Sequence, residues 1–321
     1  MPESSTPRTA SDDHVDAAGR RRTFTVVAPG ASSSHLPGRA LVLVFHGSKQ
    51  TAAAHRAFTG RALDTLAADG TAVVAYLDGH RGNWNDARRA SSLPARLENI
   101  DDVAFARAVI ERLVSTHGID PHRVIAVGYS NGGQMVMRLL HETGGPARST
   151  PALTTPTIAG AIVIAATMPD ADGFLGDFSD APGHRIPVAV VAGTADRIVP
   201  FGGGRMARWA RTVFRVDGTA LSAPETAAYF ARRNGITASP VERTVNAPAP
   251  RRRRRDRAPM RRADFRADGR APVTLFTVDG GGHTVPGPKR APALLGRTGR
   301  AIGVAEIVRE VLGSVDAVLS R

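Results

Sequence analysis

Apolar residues along this chain fall into short unbroken runs, separated by longer stretches in which they recur every three or four positions. The runs occupy Phe24 to Ala28, Ala40 to Phe45, Ala72 to Leu77, Val124 to Val127, Ala159 to Ala166, Val188 to Ala192 and Val273 to Val278. Continuous runs of this length suit strands buried on both faces, as in a parallel sheet. Between them the period becomes helical. Thr51 to Ala68 is rich in Ala and Leu. Val103, Ala106, Ile110, Leu113 and Val114 share one helical face, as do Met135, Val136, Leu139 and Leu140. Near the C-terminus Val304, Val308, Val311, Leu312, Val315 and Leu319 form a further stripe. Asp101 and Asp102 stand where the second helix begins, a position that favours capping and negative charge. Strands alternating with helices predict βαβ units: an α/β fold with a mostly parallel central sheet and helices on both faces.

Two segments follow neither period. Residues 1–20 are polar and read as a flexible N-terminal tail. Thr237 to Ala271, rich in Ala, Pro and Arg, reads as a poorly ordered surface insertion within a single domain of residues 21–321. The length, 321 residues, supports one large α/β domain, and no internal repeat is visible. The net charge of +13 is partly local. Between Arg251 and Arg270 ten arginines stand against three aspartates. The Arg251–Arg255 run is read as a solvated loop in preference to a polyanion-binding patch. It lacks the interleaved aromatics of a base-stacking surface, so no nucleic-acid partner is expected.

The absence of cysteine excludes disulfides, thiolate metal sites and a cysteine nucleophile. The ten histidines show no ligand spacing, and no phosphate-binding loop is present, so neither metal nor cofactor is expected. No basic-then-apolar leader appears, and no run approaches the roughly 18 apolar residues of a spanning helix. The expectation is a protein without membrane association, cytoplasmic as written, with secretion the alternative.

Gly128-Tyr129-Ser130-Asn131-Gly132 matches G-x-S-x-G, placed between an apolar strand and an amphipathic helix. A sharp strand-to-helix turn needs small flanking residues, and the helix N-terminus aims free N–H groups at the substrate oxygen. Ser130 is therefore the candidate nucleophile. It needs a base and an orienting acid, which follow later in the chain in this fold. Asp196 lies just past the Val188 strand, and His283 lies in the glycine-rich loop past the Val273 strand. Strand ends of this kind are where an open parallel sheet builds its site. The candidate oxyanion donors are the N–H groups of Asn131 and of Ser48, beside Gly47 in the loop after an early strand. His46 is read as structural rather than as a second base. Trp84 lies on the site side and is weighed evenly between stacking on substrate and packing.

Six stretches together resemble the polyhydroxybutyrate depolymerase-like esterases, relatives of the feruloyl and acetylxylan esterases. They are Phe45-His46-Gly47-Ser48, Asn83-Trp84-Asn85-Asp86, Asp101-Asp102-Val103-Ala104-Phe105, Gly128 to Gly133, Gly193 to Pro200, and Gly282-His283-Thr284-Val285-Pro286-Gly287. The resemblance implies an α/β-hydrolase fold, a triad of Ser130, Asp196 and His283, and hydrolysis of esters of hydroxyacids or aromatic acids. It makes His46, Gly47, Trp84, Asn85 and Val285 the candidate substrate contacts. Val285 stands where the family commonly has an aromatic. No surface-binding module is visible, so small or oligomeric soluble esters are expected rather than solid polymer. A thioesterase or peptidase of the same fold is the alternative.

Overall fold

The computed structural model describes residues 10–30, 38–142, 158–176, 185–245 and 258–320. Twelve strands are present among them. The first seven are β1 (Ala10–Ala17), β2 (Arg20–Val27), β3 (Arg39–Phe45), β4 (Ala72–Leu77), β5 (Ile119–Tyr129), β6 (Gly160–Ile164) and β7 (Val188–Gly193). A two-stranded pair, β8 (Gly204–Arg205) and β9 (Thr219–Ala220), is followed by β10 (Val241–Val245), β11 (Met260–Phe265) and β12 (Val273–Val278). The α-helices are α1 (Ala52–Phe58), α2 (Asp64–Ala68), α3 (Pro94–Leu97), α4 (Asp102–His117), α5 (Asn131–Glu142), α6 (Arg208–Phe214), α7 (Ala223–Arg233) and α8 (Val304–Leu319).

Ten strands form one sheet in the order β1-β2-β4-β3-β5-β6-β7-β12-β11-β10. The six central strands, β4 to β12 in that order, pair in parallel, and an antiparallel ribbon closes each side. Six of the seven predicted apolar runs are these central strands, the Phe24 to Ala28 run falling instead in the antiparallel β2, and β3, β4, β6, β7 and β12 are buried along their whole length. Burial on both faces explains why those runs do not alternate with polar residues. One face carries α4, α5 and α7; the other carries α1, α2 and α8. The fold is therefore the α/β fold expected, with helices on both faces.

Three segment readings are corrected. Residues 10–17 are not tail but the edge strand β1, paired along its whole length with β2. An edge strand needs only one covered face, here Val15 and Ala17, so its sequence shows no apolar run. Thr237 to Ala271 contains the hairpin strands β10 and β11. β10 is exposed along most of its length, and β11 buries Asp264 as well as Met260 and Phe265. Asp264 accepts from Arg262 at 2.8 Å and from the Thr274 hydroxyl at 2.9 Å, and Arg243 lies 3.2 Å away. Arginine pairing thus replaces the apolar signal that the prediction relied on. The Arg251–Arg255 run lies outside the described residues. Finally, Thr51 to Ala68 is two helices, broken at Gly60 and Arg61, both with positive φ (67° and 59°).

One buried histidine and one half-buried one make stability sensitive to mild acid. His55 is enclosed beside Phe58 and Tyr129, and burial drives its pKa from the ordinary 6.5 down to about 3. His141, which accepts from the Tyr229 hydroxyl at 2.6 Å, is pushed by burial to about 4. An unfolded chain binds protons on these rings below pH 6.5 while the folded chain does not. Stability is therefore full above that value and falls with decreasing pH, by about 1.4 kcal/mol per unit for each ring. Each should cost about 2 kcal/mol at pH 5 relative to pH 7. Urea midpoints across this range test the point, and His55→Gln should flatten the slope.

Candidate active site

The elbow after β5 is a tight piece of backbone. Ser130 has φ 55°, a left-handed conformation that a side-chain-bearing residue adopts only when held there. Its N–H donates to Ile164 O at 2.8 Å, and its carbonyl accepts from Gln134 N at 3.1 Å. The flanking glycines are steric requirements. A Cβ on Gly128 would lie 2.2 Å from Gly132 O, and one on Gly132 would lie 2.1 Å from Phe45 O. The second approach presses the start of α5 against the end of β3, so the N-terminus of that helix meets the His46–Ser48 loop.

Two further loops converge on Ser130. Asp196 follows β7 in a turn whose N–H groups bind it: Ile198 N and Val199 N donate to Oδ1 at 2.8 and 2.9 Å. His283 follows β12. Its N–H donates to Leu295 O at 2.7 Å, and its carbonyl accepts from the Tyr129 hydroxyl at 2.9 Å. A Cβ on Gly193 would sit 2.4 Å from Gly281 O, which is how closely the two loops approach. Between these anchors the side chains form a chain. His283 Nδ1 donates to Asp196 Oδ2 at 2.7 Å, and the Ser130 hydroxyl lies 2.9 Å from His283 Nε2. Asp196 and His283 are both buried. The free Oδ2 of Asp196 thus selects the tautomer whose Nε2 accepts from Ser130.

Among the described residues, the N–H groups of Ser48 and Asn131 have no hydrogen-bond partner, whereas Gly47 N donates to Gln50 Oε1 at 3.0 Å. His55 Nδ1 lies 3.1 Å from the same oxygen and fixes it. The loop therefore presents Ser48, and not Gly47, as its free donor. The Asn131 side chain looks backward. Its Oδ1 accepts from Trp84 N at 2.9 Å and its Nδ2 donates to Asp86.

The expected substrate contacts around this loop are corrected. Trp84 is fully buried against Phe45 and His46, and its indole donates to His46 O at 2.9 Å. Asn85 is buried with its N–H on Asp102 Oδ2 at 2.7 Å and its amide on Ile100 O at 2.8 Å. Both are braces, not contacts. Val285 is buried in the apolar layer under α8. Gly47 is needed for space, since a Cβ there would meet the Tyr129 ring at 2.9 Å. His46 is structural, as expected, and is not a substrate contact. Its Nδ1 donates to Gly47 O at 2.8 Å and its Nε2 accepts from Gly79 N at 2.9 Å, so no nitrogen remains to act as a base. Burial also lowers its pKa.

Asp101 caps α4 by accepting from Ala104 N at 2.8 Å. Asp102 instead pairs with Arg22 at 2.7 Å inside the protein, and burial pushes its carboxyl up against that partner's pull. It ties β2, the Asn85 loop and α4 together.

A cleft of about 660 Å³ opens on the His283 side. Its walls are the Ala195–Ile198 turn, Trp209, Val213 and Phe214 of α6, and the Ala293–Arg297 loop. Trp209, Val213 and Leu294 are exposed, which leaves a large apolar surface beside the histidine. Of these wall residues, Trp209, Val213, Phe214 and Leu294 were not singled out from the sequence. The available signal was the spacing of Trp209 and Val213, four apart and followed by Phe214, soon after the Asp196 turn. Among the described residues no helix is long and apolar enough to cross a membrane.

Comparison with known proteins places the chain. NocK of Nocardia uniformis subsp. tsuyamanensis, provisionally named an esterase, is 31% identical over 312 residues, which cover 95% of this chain and 83% of that protein. Feruloyl esterase B of Piromyces equi is 27% identical over 221 residues, 66% of this chain and 34% of that larger protein. An acetyl xylan esterase from Aspergillus awamori superposes with a TM-score of 0.55 at 15% identity, over 95% of this chain and 99% of its own. At that identity the likeness speaks for the fold. No family model matches the chain. With this fold and these relatives, the chain belongs to the esterases of the polyhydroxybutyrate depolymerase-like type, carboxylic ester hydrolases built on the α/β-hydrolase fold.

Proposed function

We propose that this esterase works through a Ser130–His283–Asp196 triad and an acyl-enzyme, on small or oligomeric soluble esters of hydroxyacids or aromatic acids. The observation that carries the reading is the unbroken hydrogen-bond chain from Ser130 Oγ through the imidazole to Asp196, at 2.9 and 2.7 Å.

Ser130 Oγ attacks the ester carbonyl carbon while its proton passes to His283 Nε2. The new C–O bond pushes the carbonyl electrons onto oxygen, which the N–H groups of Ser48 and Asn131 receive. Asp196 stabilises the imidazolium without itself taking a proton. The tetrahedral species collapses, the bond to the alcohol breaks, and His283 Nε2 delivers its proton to the leaving oxygen. Water then repeats the sequence on the acyl-enzyme and restores the Ser130 hydroxyl. Carboxylic esters suit the apolar cleft beside His283, which can hold an aromatic or short aliphatic group.

The test is covalent. A fluorophosphonate probe should label the native protein once, and peptide mass spectrometry should place the adduct on Ser130. Labelling at another residue, or none under conditions where esters are turned over, would overturn the assignment.

A further inference from the structure

The cleft beside His283 has an unusual lining. Apart from His283 and the Trp209 indole, every polar side chain that lines it among the described residues is an arginine: Arg197 in the turn after Asp196, and Arg297 across the loop that carries His283. Among the described residues no carboxylate lines it. Both arginines are exposed, and among the described residues neither pairs with an acid. Arg205, just before α6, and Arg211, on it, are by contrast both paired with Asp217.

The two arginines are also held by the backbone that holds the imidazole. Arg297 O accepts from Gly282 N at 3.0 Å, and residue 297 forms a bridge with Gly281. The Arg297 guanidinium lies 3.4 Å from where a Gly280 Cβ would be, so it packs over the His283 loop. Arg197 sits inside the turn that the Asp196 carboxylate ties down. Their positions relative to His283 are therefore set by the same hydrogen bonds that build the site.

His283 protonates the leaving oxygen, so the leaving alcohol must lie against its ring, and the cleft shares that ring as a wall. Resting on the triad reading above, we propose that this cleft receives the leaving alcohol and that Arg197 and Arg297 hold a free carboxylate on it. The favoured substrates are then acyl esters of hydroxyacids whose own carboxyl is unesterified. The apolar walls take the carbon skeleton, and the guanidinium forks take the planar anion.

The experiment compares kcat/KM for 3-acetoxybutanoate with that for its neutral amide, 3-acetoxybutanamide. A second pair, monoethyl succinate and its amide, carries the charge on the acyl side. The wild type should favour the charged member of the first pair about tenfold, the effect of a partly exposed charge-assisted contact, and should show no such preference in the second. In the double variant Arg197→Gln/Arg297→Gln the first ratio should fall to about one. A wild-type ratio near one, a ratio that survives the double substitution, or a preference confined to the succinate pair would overturn the proposal. Hydrolysis of the neutral amide ester that persists in Ser130→Ala would instead count against the triad, so the two failures are distinguishable.

Discussion

Replacing Ser130 with alanine should lower kcat/KM on a chromogenic short-chain ester by about 10⁵-fold while leaving the protein folded. The substitution removes only the hydroxyl that lies 2.9 Å from His283 Nε2. The loss is large because the nucleophile and base act as a unit, and neither works alone. It is not total, because the free N–H groups of Ser48 and Asn131 still face the site and still stabilise an oxyanion formed by water. Alanine keeps a Cβ at φ 55°, so the elbow carries the same backbone strain as before. The melting curve should accordingly overlay that of the wild type. Activity within tenfold of wild type, with folding intact, would remove Ser130 from the mechanism.

The central sheet was legible because strands buried on both faces leave no room for polar residues. β3, β4, β7 and β12 stand in the sequence as continuous apolar runs for that reason. The edges were not legible. β1 and β10 are held by backbone pairing and by charged side chains facing water, so their sequences resemble those of loops. Ser130, Asp196 and His283 could be named as candidates because each follows a legible strand, where chain order and turn chemistry narrow the choice. The substrate contacts could not, because proximity to the site does not fix which way a side chain faces. Trp84 lies in a loop beside Asn131, yet its ring turns inward onto Phe45 and supports the elbow from behind. The apolar wall beside His283 comes from the seven-residue α6 and from Leu294, brought there only by tertiary packing.

Asp196→Asn should cost about 10⁴-fold in kcat with little change in stability, and the reason lies in which end of the side chain is already committed. Oδ1 of Asp196 accepts two backbone N–H groups, from Ile198 and Val199. An asparagine at this position must keep its carbonyl oxygen there, since an amide N–H₂ facing two N–H donors would leave all of them unsatisfied. Its amide nitrogen is then the atom that faces His283 Nδ1. A donor at that place selects the imidazole tautomer protonated on Nε2, which can no longer accept the Ser130 proton. Geometry survives and basicity is lost from the one nitrogen that matters. The fluorophosphonate labelling rate of Ser130 should fall in parallel with kcat, because both need the same deprotonation. If labelling stays fast while turnover drops, the role of Asp196 lies in a later step and not in setting the tautomer.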